Sequence, residues 1–131
     1  RLLWSGGVTC GAAFAVNPSL GVRALYVGYP FMGIGELVER DGEWEYVRTI
    51  STPDGGRSVA YDPARDVLIQ ANYESGEILV IDRATGRILE RIPVGDRVRH
   101  VHVRGDTLIT ASHAGIVQID LNVVLAASHG V

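Results

Sequence analysis

The chain has 131 residues, of which 47% are hydrophobic and 21% charged, and its formal net charge is −3. This length and composition fit one domain with an apolar core, and a charge so close to neutral argues against a nucleic-acid-binding protein. No stretch approaches the roughly 18 consecutive apolar residues of a membrane helix, so no direct membrane insertion is predicted. The chain begins at Arg1 rather than Met, and we expect a processed or excised piece.

The predicted elements are almost all strands, because β-branched and aromatic residues dominate them and Gly, Pro, Asn or Asp mark most boundaries. In chain order they fall at residues 12–16, 24–28, 36–40 and 44–50, at 58–61, 67–72, 77–82 and 87–92, and at 100–103, 107–112 and 116–120. Residues 121–127 (LNVVLAA) fit a short helix or a further strand, because periodicity cannot separate the two at this length. The predicted fold class is all-β.

These strands repeat as three altered copies of one pattern. Val16, Tyr61 and Val103 occupy equivalent positions, 45 and then 42 residues apart, a spacing typical of β-propeller blades. The predicted single domain is a partial propeller of four-stranded antiparallel blades at residues 11–53, 54–95 and 96–131. Residues 1–5 (RLLWS) align with the fourth strand of the first blade and are predicted to form the outer strand of an adjoining blade.

The second copy carries the most specific motif. It reads Ala71-Asn72, then Ile78 to Asp82, then Thr85-Gly86, and ends in IPVG at residues 92–95. This pattern resembles the YVTN-type β-propeller repeat, and the related NHL repeat is the alternative. The resemblance implies the fold and an extracytoplasmic location, periplasmic or secreted, but says little about function.

Three blades are too few for a closed ring, because closed propellers usually have about 4–8. The chain is therefore expected to be part of a larger propeller, or to form one with other chains. The predicted partner is another protein or a second copy that completes the propeller.

One face of a propeller is the usual ligand site, and it holds the loops that follow each second strand and those that enter each first strand. Here these loops contribute Arg57, Asn72, Tyr73, Arg97 and Arg99. Arg57 and Arg99 are equivalent residues of two copies, and guanidinium groups bind carboxylate or phosphate bidentately. The alternative is that these arginines form ion pairs with Asp54, Asp96 or Asp106.

Three histidines are the remaining candidates. His100 and His102 project from one side of a strand, and His113 lies in a loop on the ligand face. Two imidazoles could share a metal with His113 as a third ligand, although packed or solvated histidines are commoner. The equivalent residues of the second copy, Ser58 and Ala60, are small, so the histidines depart from the repeat.

A non-enzymatic binding or assembly module that uses the loop face to recognise a protein or small ligand is the predicted function. The alternative is a propeller enzyme of the lactonase or oxidoreductase type with a histidine-lined site. No cofactor is predicted, since the chain has no nucleophile–base pattern, paired carboxylates or phosphate-binding loop. The apolar segment at residues 28–35 (GYPFMGIG) is expected to be a long loop, either packed or in contact with a partner.

Overall fold

The computed structural model describes residues 11–17 and 21–128, which form eleven strands and one helix. The first sheet contains β1 (Gly11–Asn17), β2 (Val22–Tyr29), β3 (Gly33–Arg40) and β4 (Glu43–Ile50). The second contains β5 (Gly56–Asp62), β6 (Val67–Asn72), β7 (Glu77–Asp82) and β8 (Ile88–Pro93). The third contains β9 (His100–Arg104), β10 (Thr107–Ser112) and β11 (Gly115–Asp120), and α1 (Leu121–Ser128) follows it.

Each sheet is an antiparallel meander in which consecutive strands are neighbours. The predicted all-β class is therefore confirmed, and the three sheets match blades of a partial propeller. The strands β6, β7 and β10 have the predicted bounds. The predicted outer strand at residues 1–5 lies outside the described residues.

The segment at residues 28–35 is not the long loop that was expected. β2 continues to Tyr29 and β3 already begins at Gly33, so only a short turn separates them. Tyr29 is 1% exposed, whereas Phe31 and Met32 at the tip are 78% and 51% exposed. Gly33 adopts φ +108, and a Cβ there would lie 2.1 Å from the Ile50 carbonyl oxygen. A strand can start here because glycine tolerates both the dihedral angle and the close approach.

Residues 121–128 are helical, which settles the alternative left open by their sequence. The Asp120 carboxylate accepts a hydrogen bond from the Asn122 amide at 2.9 Å and so caps the helix. The helix has eight residues, and no helix in the described part of the chain is long and apolar enough to cross a membrane.

The apolar core lies between the sheets. One cluster joins the first and second sheets through side chains such as Tyr26, Val38, Leu68 and Leu79. A second joins the second sheet to the third sheet and α1, through side chains such as Ile69, Ile78, Leu108 and Leu121. Alternate strand residues face opposite sides, so the middle sheet buries both of its faces. This explains why every residue of β6 is buried.

A buried polar network also joins the first two sheets. Arg83, 3% exposed, donates from Nε and Nη2 to the Asp66 carboxylate at 2.6 and 2.9 Å. Glu36, 4% exposed, accepts a hydrogen bond from the Tyr26 hydroxyl at 2.6 Å and from Arg48 Nε at 3.0 Å. Arg48 also donates to the backbone carbonyls of Arg83 and Ala84. Arg48 belongs to the first sheet, whereas Arg83 and Ala84 follow β7 of the second, so the two bonds from Arg48 to their carbonyls cross the sheet interface.

The network perturbs the ionisation of its members. The hydrogen bond from Arg83 lowers the pKa of Asp66. Burial, followed by the hydrogen bond to Asp66, raises the pKa of Tyr61 to about 12. Burial and the hydrogen bond to Glu36 also raise the pKa of Tyr26. The Asp66 carboxylate is therefore held ionised beside the neutral phenol of Tyr61.

Candidate functional site

Arg57, Tyr73 and Arg99 form a cluster on the loop face. The Arg57 guanidinium carbon lies 4.8 Å from the centre of the Tyr73 ring, and that of Arg99 lies 5.1 Å from the same centre. Both distances are within the range of cation–π attraction. We call these three residues the arginine–tyrosine cluster. It joins the second and third sheets, because Tyr73 follows β6 and Arg99 precedes β9.

Backbone pairing at the inner strands brings the two arginines together. The Ser58 amide donates to the Arg99 carbonyl at 3.2 Å, and the Val101 amide donates to the Ser58 hydroxyl at 3.0 Å. The register between β5 and β6 is irregular between Gly56 and Val59. Arg57 lies within this irregularity, and bulges of this kind re-aim side chains.

Hydrogen bonds within the loops fix the position of Tyr73. Its amide donates to the Gly55 carbonyl at 2.8 Å. The buried Asn72 side chain donates to the carbonyls of Pro53 and Asp54 at 3.2 and 3.1 Å and accepts from the Ser75 amide at 3.1 Å. Asn72 thus uses its amide to join two loops, and this geometry gives it a positioning role.

The three arginines of the loop face have no acidic partner among residues 11–17 and 21–128. No ion pair there involves Arg57, Arg97 or Arg99, and the predicted alternative of pairing with Asp54, Asp96 or Asp106 is not found. Asp106 instead accepts from Arg65 at 2.5 Å. Arg57 donates to the Gly56 carbonyl at 3.2 Å, which leaves its other N–H groups for a ligand. Arg97 is exposed in a turn with φ 62, and the cation–π contacts of the Tyr73 ring among the described residues are with Arg57 and Arg99.

The histidines lie elsewhere. His100 and His102 pair with Ala111 and Ile109 and project from the outer face of the third sheet. They line a cavity of about 240 Å³ together with Ile109 and Ile116. His113 lies in the turn between β10 and β11, where its amide donates to the Asp96 carbonyl at 2.7 Å. Within the described residues, no three His, Cys, Asp or Glu side chains are grouped as metal ligands would be.

A larger cavity, of about 600 Å³, lies between the second sheet and α1. Its charged lining includes Arg65, which is paired with Asp62 and Asp106, and Asp82, which accepts from the Thr85 hydroxyl at 2.5 Å. Arg65 is therefore compensated, whereas Arg87, which also lines the cavity, has no ion pair in the described part of the chain. The arginine–tyrosine cluster is the better candidate because it places two cations without an ion pair in the described residues against one aromatic ring.

One buried residue was not anticipated from the sequence. Gln70 is 0% exposed, and neither its side-chain oxygen nor its nitrogen has a hydrogen-bond partner among the described residues. Its amide packs on Gly56, where a Cβ would lie 2.5 Å from Gln70 Nε2. A glutamine within a mostly apolar strand gives no signal of this environment. Gln70 therefore packs against Gly56, the residue that precedes Arg57.

No protein-family model and no curated protein matches the chain. Solved β-propeller structures do match. A gluconolactonase from Xanthomonas campestris aligns with 86% of the chain at a TM-score of 0.70 and 20% identity. A protein from Lactobacillus plantarum aligns with 91% at 0.66 and 17% identity, and AztD from Citrobacter koseri with 88% at 0.55 and 19% identity.

These identities show the fold alone. The chain spans 37% of the length of the first two structures and 32% of the third. It therefore has the fold of part of a β-propeller. The resemblance to YVTN or NHL repeats in particular stays a prediction.

Proposed function

We propose that the chain is a non-enzymatic binding module whose loop face recognises a carboxylate or phosphate group of its ligand. The observation that carries this proposal is the arginine–tyrosine cluster, in which two guanidinium groups share one tyrosine ring. Neither guanidinium has a carboxylate partner among the described residues.

The chemistry follows from the shape of the guanidinium group. When its flat face lies on an aromatic ring, its N–H donors point outward along the edge. An oxyanion can accept two parallel hydrogen bonds from such an edge. The two arginine carbons can be no further apart than the sum of their distances to the ring centre, and two carboxylates of one ligand can span that limit. A single dianionic group would need the two carbons to be closer than the limit. The exposed side chains of Phe31 and Met32, which lie in a turn on the same face, would add apolar contact.

Calorimetric titration with inorganic phosphate and, separately, with succinate tests this proposal and distinguishes the two anions. A hydrogen bond to a charged group contributes about 1.5–3 kcal/mol, so Arg57→Ala or Arg99→Ala should each weaken binding by about 10- to 100-fold. Arg87→Ala is the matched control, because Arg87 is exposed and has no ion pair in the described part of the chain.

The tyrosine provides a second comparison. Tyr73→Phe keeps the ring and should bind nearly as well as the parent, whereas Tyr73→Leu removes the ring and should lose affinity. Binding that is absent for both anions, or that is reduced equally by Arg87→Ala, would overturn the proposed site.

A propeller enzyme is the second candidate. The observation that favours it is that the His100 and His102 side chains line one cavity. Metal content after mild purification should be compared with that of the variant carrying both His100→Ala and His102→Ala. Stoichiometric metal that disappears in the double variant would support this candidate, and equal metal content in the two proteins would contradict it.

A further inference from the structure

Each sheet has a face toward the next sheet along the chain, here called its leading face, and a face toward the previous sheet, its trailing face. The leading face of the first sheet, with Ala13, Ala24 and Val38, packs on the trailing face of the second, with Val59 and Leu68. The leading face of the second sheet packs in the same way on the trailing face of the third. Both interfaces therefore join a leading face to a trailing face.

The third sheet has a leading face with nothing described against it. Strand register makes Ile109, Ala111 and Ile116 equivalent to Ile69, Ala71 and Ile78 of the second sheet. Those three residues of the second sheet are 0% exposed. Ile109 and Ile116 are instead 40% and 82% exposed. The face has thus kept the apolar positions that elsewhere contact another sheet.

The first sheet has the matching trailing face. Its Phe14 and Val16 occupy the positions of Val59 and Tyr61 in the second sheet. Phe14 is 66% and Val16 64% exposed, whereas Val59 is 6% exposed. The Phe14 ring rests against Trp44, with ring centres 6.0 Å apart. One leading face and one trailing face, both apolar, are therefore exposed on the third and the first sheet. Large exposed apolar patches usually mark interfaces.

We propose that the leading face of the third sheet binds the trailing face of the first sheet of a second copy of this chain. Such a contact is heterologous, so repetition gives a closed ring or an open filament. This inference is independent of the proposed anion site and does not require it.

The histidines become part of this interface. In the interface between the second and third sheets, the Val101 amide contacts the Ser58 hydroxyl. His100 is the equivalent of Ser58, and Phe14 is the equivalent of Val101. His100 would therefore lie opposite Phe14 of the second copy. In the two interfaces within one chain, the residue equivalent to His100 is small: it is Ala13 on β1 of the first sheet and Ser58 on β5 of the second. At the proposed contact a large imidazole faces a large aromatic ring, with the cavity of about 240 Å³ beside it. The larger side chains would make this contact distinct from the two internal ones, which favours pairing between chain ends.

Sedimentation velocity over a range of protein concentrations tests the proposal. The parent chain should associate as its concentration rises. Ile116→Asp on the leading face and Phe14→Asp on the trailing face should each raise the dissociation constant at least about tenfold, because each places a charge in an apolar contact. Val123→Asp is the control, since Val123 is 67% exposed on α1 and lies on neither face. Circular dichroism checks that each variant keeps its strands.

Mixing the two variants makes the test decisive. The Ile116→Asp chain retains an intact trailing face, and the Phe14→Asp chain an intact leading face. A mixture should therefore form heterodimers that cannot extend, although neither variant associates alone. A parent chain that stays monomeric, association lost only in Ile116→Asp, or a mixture that does not pair would each overturn the head-to-tail interface.

Discussion

Replacing Arg83 with Met tests whether the buried polar network stabilises the interface between the first and second sheets. The guanidinium of Arg83 is held bidentately by Asp66 and lies 4.0 Å from the Glu36 carboxylate. Methionine matches the apolar stem of arginine but leaves Asp66 without its cation. The substitution therefore removes the charge and little of the packing.

The size of the effect depends on how well the remaining carboxylates can be solvated. Breaking a buried ion pair by removing one partner costs about 3–5 kcal/mol. The Asp66 side chain is 31% exposed, so water can partly replace Arg83, and we expect a loss near the lower limit, about 3 kcal/mol. Glu36 keeps its bonds to Arg48 and Tyr26 and should add little.

Urea denaturation followed by circular dichroism measures the free energy of unfolding. Arg87→Met is the control four residues away, and it should change this free energy by less than about 0.5 kcal/mol, as exposed substitutions usually do. Asp66→Asn and the double variant complete a thermodynamic cycle, in which the two losses should be far from additive because the residues are in contact. A loss under about 1 kcal/mol for Arg83→Met, or additive losses, would refute the assigned role.

Three further predictions concern stability. Gln70→Leu should raise the free energy of unfolding by about 1 kcal/mol or more, because it removes an unpartnered buried amide; a clear loss in urea denaturation would contradict this. The lowered pKa of Asp66 adds stability above its ordinary pKa and loses it as pH falls through the folded-state value. The stability difference between the parent and Asp66→Asn should therefore shrink as the pH falls below about 4. Gly33→Ala should cost more than about 1 kcal/mol, and clearly more than Gly42→Ala, where φ is also positive but nothing lies within 4 Å; equal thermal midpoints would contradict this.

Much of the fold could be predicted because its signals are local. The turn after β7 shows this, since the Asp82 carboxylate accepts from the Thr85 amide at 3.0 Å and Gly86 has φ +76, which are the roles that Asp and Gly commonly have in turns. The start of β3 was missed because glycine usually marks a loop. Here Gly35 makes room instead, since a Cβ would lie 2.9 Å from the Tyr46 ring and 3.0 Å from the Tyr29 ring. The sequence does not distinguish these two uses of glycine.

Contacts between distant parts of the chain were harder to predict, with one instructive exception. Nothing near Glu36 or Arg83 in the sequence indicates that a carboxylate in the middle of one strand meets an arginine of the next sheet. Arg57 and Arg99 are also distant in sequence, yet they could be paired because the repeat makes their positions equivalent. Their shared contact, Tyr73, could not be assigned, because it depends on how Asn72 holds the loop. In a repeat protein, equivalence therefore carries long-range information that local patterns lack. The same reasoning makes the exposed positions of Ile109 and Ile116 the strongest argument for a missing neighbour, since their equivalents in the second sheet are fully buried.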